Sequence, residues 1–311
     1  MKAVLPALAR PLLEAKLPAD LETVWFDDRA SAEAGIADAD IAWVDAQGAS
    51  ITSEVAAQGE KLQWLFTMRA GVDGFDLSLL RERGTTFTNG VGLHTVAVAE
   101  YTVMGMLVAA KRFDEVLHLA DDHQWSTNPP GNLLLDGTRA LIIGYGDIGR
   151  AIGERLRPFG VEVTGVTRSG SNGTLTPDQW RDRLGEFDWV ILAAPSTDET
   201  TAMIGDEELT AMKKSAWLIN IARGDMVDQG ALLTALRKRR IAGAFLDTVT
   251  PEPLPSGDPL WSEHNALLSL HLAGRSDAGM YQRAASLFLD NLEAFLAGRD
   301  MKNVVDLDQG Y

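Results

Sequence analysis

Short apolar runs and longer amphipathic stretches alternate along the whole chain. The first ninety residues carry runs at KAVLP, LETVWF, DIAWVDA, KLQWLFTM and TTFTNG. Six more follow between positions 139 and 271: RALIIG, VEVTGV, WVILAA, AWLINIA, AGAFLD and ALLSLH. Strand and helix signals in alternation predict an α/β protein with parallel sheets. Between the two series lies TVAVAEYTVMGMLVAAKRF, residues 95–113, apolar nearly all round. Such a helix is buried between layers or domains. A polar, Pro-containing loop (DDHQWSTNPPGN) follows it, which marks a connecting helix at a domain boundary. SDAGMYQRAASLFLDNLEAFLAG reads as one long amphipathic helix with Leu287, Leu289, Leu292, Phe295 and Leu296 on its apolar side, before a final NVVDLDQGY. There is no internal repeat and no low-complexity tract.

The stretch LIIGYGDIGRAIGERL, residues 141–156, reads as the strand, glycine turn and helix that open a dinucleotide-binding unit. It sits near the middle of the chain. Residues 96–278 are therefore expected to form a dinucleotide-binding domain inserted into a second domain made of residues 1–95 and 279–311. The two long helices would cross between them and leave a cleft for cofactor and substrate.

Composition narrows the class. The 311 residues are 46% hydrophobic and 23% charged, the balance of a globular protein. A net charge of −16 repels nucleic acid and anionic membrane, so neither is expected as a partner. The absence of cysteine removes disulfides, thiolate metal sites and cysteine nucleophiles. No apolar run approaches the roughly 20 residues of a membrane span. The early run MKAVLPALARPLLEAKL is interrupted by Arg10 and Glu14, unlike a signal peptide, so a cytoplasmic protein is expected.

Gly144, Gly146 and Gly149 form G-x-G-x-x-G. The first permits a tight turn, the second lets backbone approach a pyrophosphate, and the third lets helix pack on strand. The helix start offers free N–H groups to phosphates. An NAD site usually carries Asp or Glu after the second strand. Here Thr167, Arg168 and Ser169 stand there. A guanidinium with hydroxyls suits a 2′-phosphate, so NADP is favoured over NAD. The plain alternative is that Arg168 is a solvated loop charge.

Ligands of open α/β sheets bind at the carboxyl ends of strands. WVILAA leads to Pro195, AWLINIA to Arg223, AGAFLD to Asp247 with Glu252 beyond, and ALLSLH to His271. Hydride transfer to a keto acid needs a proton donor at the carbonyl oxygen, and histidine is the commonest. A carboxylate on its far ring nitrogen fixes the tautomer. An arginine can hold a substrate carboxylate and polarise the ketone. Taken singly, Arg223 could be a surface ion pair, Asp247 a helix cap and Glu252 a solvated loop charge. Their joint placement favours chemistry.

These residues resemble the D-isomer-specific 2-hydroxyacid dehydrogenases. The matching stretches are RAGVDGF, TNGVGLHTVAVAEY, LIIGYGDIGRAIGERL, INIARGDMVDQGALLTAL, AGAFLDTVTPEPLP and HLAGRS. The resemblance implies a Rossmann-type nucleotide domain inserted into a flavodoxin-like substrate domain. It also implies reduction of a small 2-keto acid to the D-2-hydroxy acid with NAD(P)H. It makes His271 the acid/base, Glu252 its partner and Arg223 the substrate-binding arginine. The backbone at Ala70, Gly71 and Val72 would cradle the substrate carboxylate. Asp147, Ile148, Pro195, Ile221, Ala222, Asp247, His271 and Gly274 would border the cofactor. A homodimer through the nucleotide domains is implied as well. One position departs from the family pattern: Leu270 replaces the usual proline before the histidine. The VTRSG stretch is similar to the NADP-preferring glyoxylate/hydroxypyruvate reductase branch.

His94 could line the cleft but fits a structural role better. His118, His123 and His264 show no metal-ligand spacing, and no metal is expected. Trp43, Trp64 and Trp217 read as core, and Asp121 and Asp122 as a solvated turn. Two other readings stay open. A formate- or phosphite-type oxidiser shares the scaffold, although formate oxidisers carry glutamine where Glu252 stands. A corepressor-like cofactor sensor would bind cofactor and act through protein partners.

Overall fold

The computed structural model describes residues 1–45, 49–275 and 279–310. Residues 46–48, residues 276–278, where the sequence reading begins its last helix, and Tyr311 lie outside the described residues. The chain divides into two compact units, Met1–His94 with Ser276–Tyr311, and Thr95–Arg275.

The first unit holds β1 (Lys2–Pro6), β2 (Glu22–Phe26), β3 (Ile41–Trp43), β4 (Trp64–Phe66) and β5 (Thr86–Thr88). Among the described residues they form one parallel sheet in the order β2-β1-β3-β4-β5. This is the flavodoxin-like order. Its helices are α1 (Arg10–Leu13), α2 (Arg29–Ile36), α3 (Ala49–Ala56), α4 (Leu77–Arg83) and, from the far end of the chain, a long helix over Gly279–Leu296. That helix buries Ala284, Ala285, Phe288 and Leu292. Phe288 stacks on Trp43 and Trp64 with centroids 5.6 and 4.9 Å away. The expected apolar side was rotated: Leu296 is 45% exposed and Leu287 and Leu289 only half-buried. Counting leucines favoured the bulkier residues. The sheet instead admits the face with two alanines, which let the helix approach and leave room for Phe288.

The second unit holds β6 (Arg139–Ile143), β7 (Glu162–Val166), β8 (Trp189–Leu192), β9 (Trp217–Asn220), β10 (Gly243–Leu246) and β11 (Ala266–Leu268). Their order is β11-β10-β9-β8-β6-β7, all parallel among the described residues. Outside β7 a single parallel bridge joins Val166 to Leu175. With that remnant as third strand, the sheet follows the dinucleotide-binding order 3-2-1-4-5-6 with one strand added. The helices are α5 (Thr95–Lys111), α6 (Phe113–Asp121), α7 (Asp147–Leu156), α8 (Asp206–Ala211) and α9 (Gln229–Arg237), which makes Gly279–Leu296 α10.

The apolar α5 opens this unit. One side packs on α7 and on the sheet, with Ala99, Thr102, Met106 and Ala109 buried. A Cβ on Gly105 would meet the Phe245 ring at 2.7 Å, so glycine allows this close approach. The other side is apolar yet open: Val96 is 55% and Met104 43% exposed. Among the described residues no helix is long and apolar enough to cross a membrane.

Candidate active site

The six strands of the second unit end flush. Val166, Ile143, Leu192, Asn220, Leu246 and Leu268 stand side by side in register. Every candidate of this unit therefore emerges along one sheet edge. Gly144, Thr167 and Asp247 follow their strands by one residue, and Pro195, Arg223 and His271 by three.

The glycine turn between β6 and α7 fits a dinucleotide. Gly144 has φ +95°, and a Cβ there would lie 2.3 Å from the Ala194 nitrogen. A Cβ on Gly149 would lie 2.3 Å from the Gly144 carbonyl oxygen. Gly146 faces open space and caps α7 without a side-chain acceptor. The N–H groups of Asp147 and Ile148 thus start a helix whose positive end is uncovered, as a pyrophosphate requires. The Asp147 carboxylate turns aside to the exposed Arg150.

After β7 the loop closes on itself. Thr167 Oγ accepts from Gly170 N at 3.1 Å and meets Thr174 Oγ at 2.7 Å. Its hydroxyl, expected to serve the cofactor, is occupied in shaping the turn. Ser169 donates to Ser171 at 3.0 Å. Arg168 and Ser169 remain exposed at the tip.

The β10 and β11 ends build one structure. His271 Nδ1 lies 2.6 Å from Glu252 Oε2, and Glu252 Oε1 accepts from Val249 N at 3.1 Å. The glutamate is held by backbone and in turn holds the ring, so Nδ1 carries the proton between them. The ring is 51% exposed, and Nε2 has no partner among the described residues. Leu270 and His271 both occupy the left-handed region, at φ +60° and +56°. Each such residue costs about 1–2 kcal/mol. The turn is held by Asp247, which is 3% exposed. Its Oδ1 accepts from Ser269 Oγ at 2.8 Å and Leu272 N at 2.9 Å, and Oδ2 from Ala273 N at 3.1 Å. Its carbonyl accepts His271 N at 2.6 Å. Asp247 was expected to border the cofactor. Its carboxylate lies under the histidine turn. Proline could not stand at 270 in this conformation, because its ring fixes φ near −65°.

Arg223 follows β9. Asn220, 1% exposed, donates to the Arg223 carbonyl at 2.8 Å and accepts Ala222 N at 3.1 Å, closing the turn that presents the arginine. Sequence reasoning missed Asn220. The signal was there: an amide at the end of an apolar strand, two residues before a turn. Ile221 and Ala222 are buried beneath it, while Pro195 is exposed and Gly274 half-buried. Gly224 packs so closely that a Cβ would lie 2.1 Å from the Val249 carbonyl. This seats the arginine turn on the segment leading to Glu252.

Ala70, Gly71 and Val72 belong to the first unit, in the loop after β4. Their N–H groups donate to no acceptor among the described residues. His94, also in the first unit, has Nε2 3.1 Å from the Met68 carbonyl oxygen, a structural contact. Trp43, Trp64 and Trp217 are buried, and Asp121 and Asp122 exposed. Among the described residues no group of three His, Asp or Glu side chains is placed to hold a metal.

The sequence and the fold are similar to those of known proteins. The family model of the NAD-binding domain of D-isomer-specific 2-hydroxyacid dehydrogenases matches residues 103–273. The glyoxylate reductase of Korarchaeum cryptofilum is 34% identical over 82% of this chain and 80% of its own. A family protein from Aeromonas salmonicida superposes with TM-score 0.88 at 27% identity, covering 99% of both chains. An NADPH-dependent glyoxylate/hydroxypyruvate reductase from Sinorhizobium meliloti, solved with NADP and malonate, gives TM-score 0.80 at 27% identity over 99% of this chain and 98% of its own. The chain belongs to the D-isomer-specific 2-hydroxyacid dehydrogenase family. It is an oxidoreductase of the NAD(P)-dependent 2-hydroxyacid dehydrogenase class.

Asp247→Ala leaves buried N–H groups at Leu272 and Ala273 unpaired, a loss of about 2–4 kcal/mol. Chemical denaturation should show it. Turnover should fall by at least about tenfold, because a loosened turn misplaces the His271 ring. Unchanged turnover would show that the ring needs no such support.

Proposed function

We propose that this protein reduces a small 2-keto acid of the glyoxylate/hydroxypyruvate type to the D-2-hydroxy acid, with His271 as the proton donor. The observation that carries this is the 2.6 Å contact of His271 Nδ1 with Glu252, which leaves Nε2 without a partner among the described residues at the sheet edge. The cofactor supplies the hydride. As negative charge gathers on the ketone oxygen, Nε2–H delivers a proton to it, and the Glu252 carboxylate stabilises the positive ring before transfer. Arg223 binds the carboxylate and polarises the carbonyl. The N–H groups of Ala70, Gly71 and Val72, which have no acceptor among the described residues, are three successive donors suited to a carboxylate. In the reverse direction the neutral ring takes the hydroxyl proton.

NADPH is the preferred donor in this reading. The loop after β7 offers Arg168 and Ser169 and no carboxylate from Val163 to Pro177. The partner we assign is a second copy of the chain, docked on the open apolar side of the second unit. Met104 (43%), Phe113 (48%), Leu117 (53%) and Trp261 (46%) line one groove there and are all substantially exposed. An apolar surface of this kind marks an interface.

His271→Ala should lower kcat by about 10²–10⁴-fold while cofactor affinity, read by fluorescence titration, stays the same. Retained turnover would remove the histidine from the mechanism. Retained partner binding without turnover in the unaltered protein would favour a sensor. Arg168→Ala should lower kcat/KM for NADPH by about tenfold or more and spare NADH, since hydrogen bonds to a charged group contribute about 1.5–3 kcal/mol. A parallel loss with both donors would make Arg168 a bystander. In light scattering, the unaltered chain should have twice the monomer mass and Met104→Asp the mass of one chain. A monomeric unaltered protein would refute the interface.

A further inference from the structure

The loop after β4 is pinned at nearly every backbone polar group before it reaches Ala70. Thr67 N donates to Thr88 O at 3.0 Å, which carries the β4–β5 ladder one residue past the strands. Thr67 Oγ donates to Asp45 Oδ1 at 2.5 Å and accepts Arg69 N at 3.2 Å. Met68 N donates to Asp45 Oδ2 at 2.6 Å, and Met68 O faces His94 Nε2 at 3.1 Å. Arg69 O accepts Gly90 N at 2.7 Å, and Ala70 O accepts Asn89 Nδ2 at 2.9 Å. A Cβ on Gly90 would lie 2.0 Å from Met68 O, so only glycine allows the β5 segment to close against the loop.

The Met68 backbone is thus held at both its polar groups, by a carboxylate on its N–H and an imidazole on its carbonyl. Asp45 lies at the end of β3 and also accepts from Trp43 Nε1 at 2.9 Å. Burial pushes its carboxyl up, against the pull of its three donors and of the Arg69 charge. The desolvation cost is met by the three hydrogen bonds it accepts. Immediately beyond this grip the pattern changes, and the N–H groups of Ala70, Gly71 and Val72 have no acceptor among the described residues.

We propose that Asp45 and His94 are positioning residues for the substrate, which fix the Met68 peptide so that the following three N–H groups converge on a carboxylate. This rests on the 2-keto acid reading given above. Neither residue touches the reacting atoms. Each acts through the backbone it holds.

The test compares Asp45→Asn, His94→Ala and His94→Gln with the unaltered enzyme, using glyoxylate and NADPH. In Asp45→Asn an amide NH₂ replaces an oxygen on one side of the carboxylate and disrupts the donor pattern around it. KM for glyoxylate should rise about tenfold or more, with kcat and KM for NADPH within about threefold, because uniform substrate binding is what is lost. His94→Ala should behave likewise. His94→Gln, which keeps a donor for the Met68 carbonyl, should restore most of the affinity. Melting temperatures of all variants separate this split from general loosening. A fall in stability with KM unmoved would overturn the proposal.

Amide exchange gives a readout that does not need turnover. Oxalate should protect the 70–72 amides of the unaltered protein and fail to do so in Asp45→Asn, where exchange across 67–70 should speed up by about tenfold. Absent turnover of any 2-keto acid by the unaltered enzyme would defeat the functional reading. Unchanged exchange in Asp45→Asn, with or without turnover, would defeat this inference.

Discussion

A single buried carboxylate sets the geometry on which the candidate chemistry depends. Asp247 lies where β10 ends and takes the hydroxyl of Ser269 and the amides of Leu272 and Ala273. Without that acceptor, two consecutive left-handed residues, Leu270 and His271, would relax to ordinary backbone. The ring would then leave Glu252. The His271–Glu252 pair is itself half-exposed and screened. Its geometry comes from the turn beneath it, and only weakly from its own attraction.

The same device occurs in the other unit. Asp45 follows β3 by two residues and Asp247 follows β10 by one, and each accepts a hydroxyl and backbone N–H from a loop that leaves a neighbouring strand. Parallel strands that end flush leave rows of loops with unmet donors at one edge. A carboxylate placed just past a strand meets several of them at once. It orders the loop and leaves a chosen few donors unfilled. Asn220 does with an amide what the aspartates do with charge, and it serves the arginine turn.

Most of the architecture was legible in the apolar runs. Each of the eleven runs contains a strand among the described residues, because a strand covered on both faces is apolar throughout. The sequence also singled out His271, Glu252 and Arg223 by what such groups can do, and the structure brings His271 and Glu252 into contact. What escaped was work done through backbone. Asp247 was read as a cofactor contact and Thr167, with Arg168 and Ser169, as suited to a cofactor 2′-phosphate. Both satisfy local N–H groups, and partners of that kind leave no mark on spacing or residue type. Asp45 and Asn220 were not singled out for the same reason. The shallower face of α10 was missed because alanines carry little hydrophobic weight, although they decide how near a helix can come.

The split of the first unit has a consequence for synthesis. Its sheet is complete by Thr88, yet Trp43, Trp64 and Phe66 pack against Ala284, Ala285, Phe288 and Leu292 of α10. Between them the ribosome must make the whole contiguous second unit. That unit can therefore finish folding while the earlier-made one still shows bare aromatic surface to solvent. At elongation rates of about 5–20 residues per second the exposure lasts on the order of ten seconds or more. The first segment of the chain to be made, Met1–His94, is the last to close, and that interval is when a chaperone would find it.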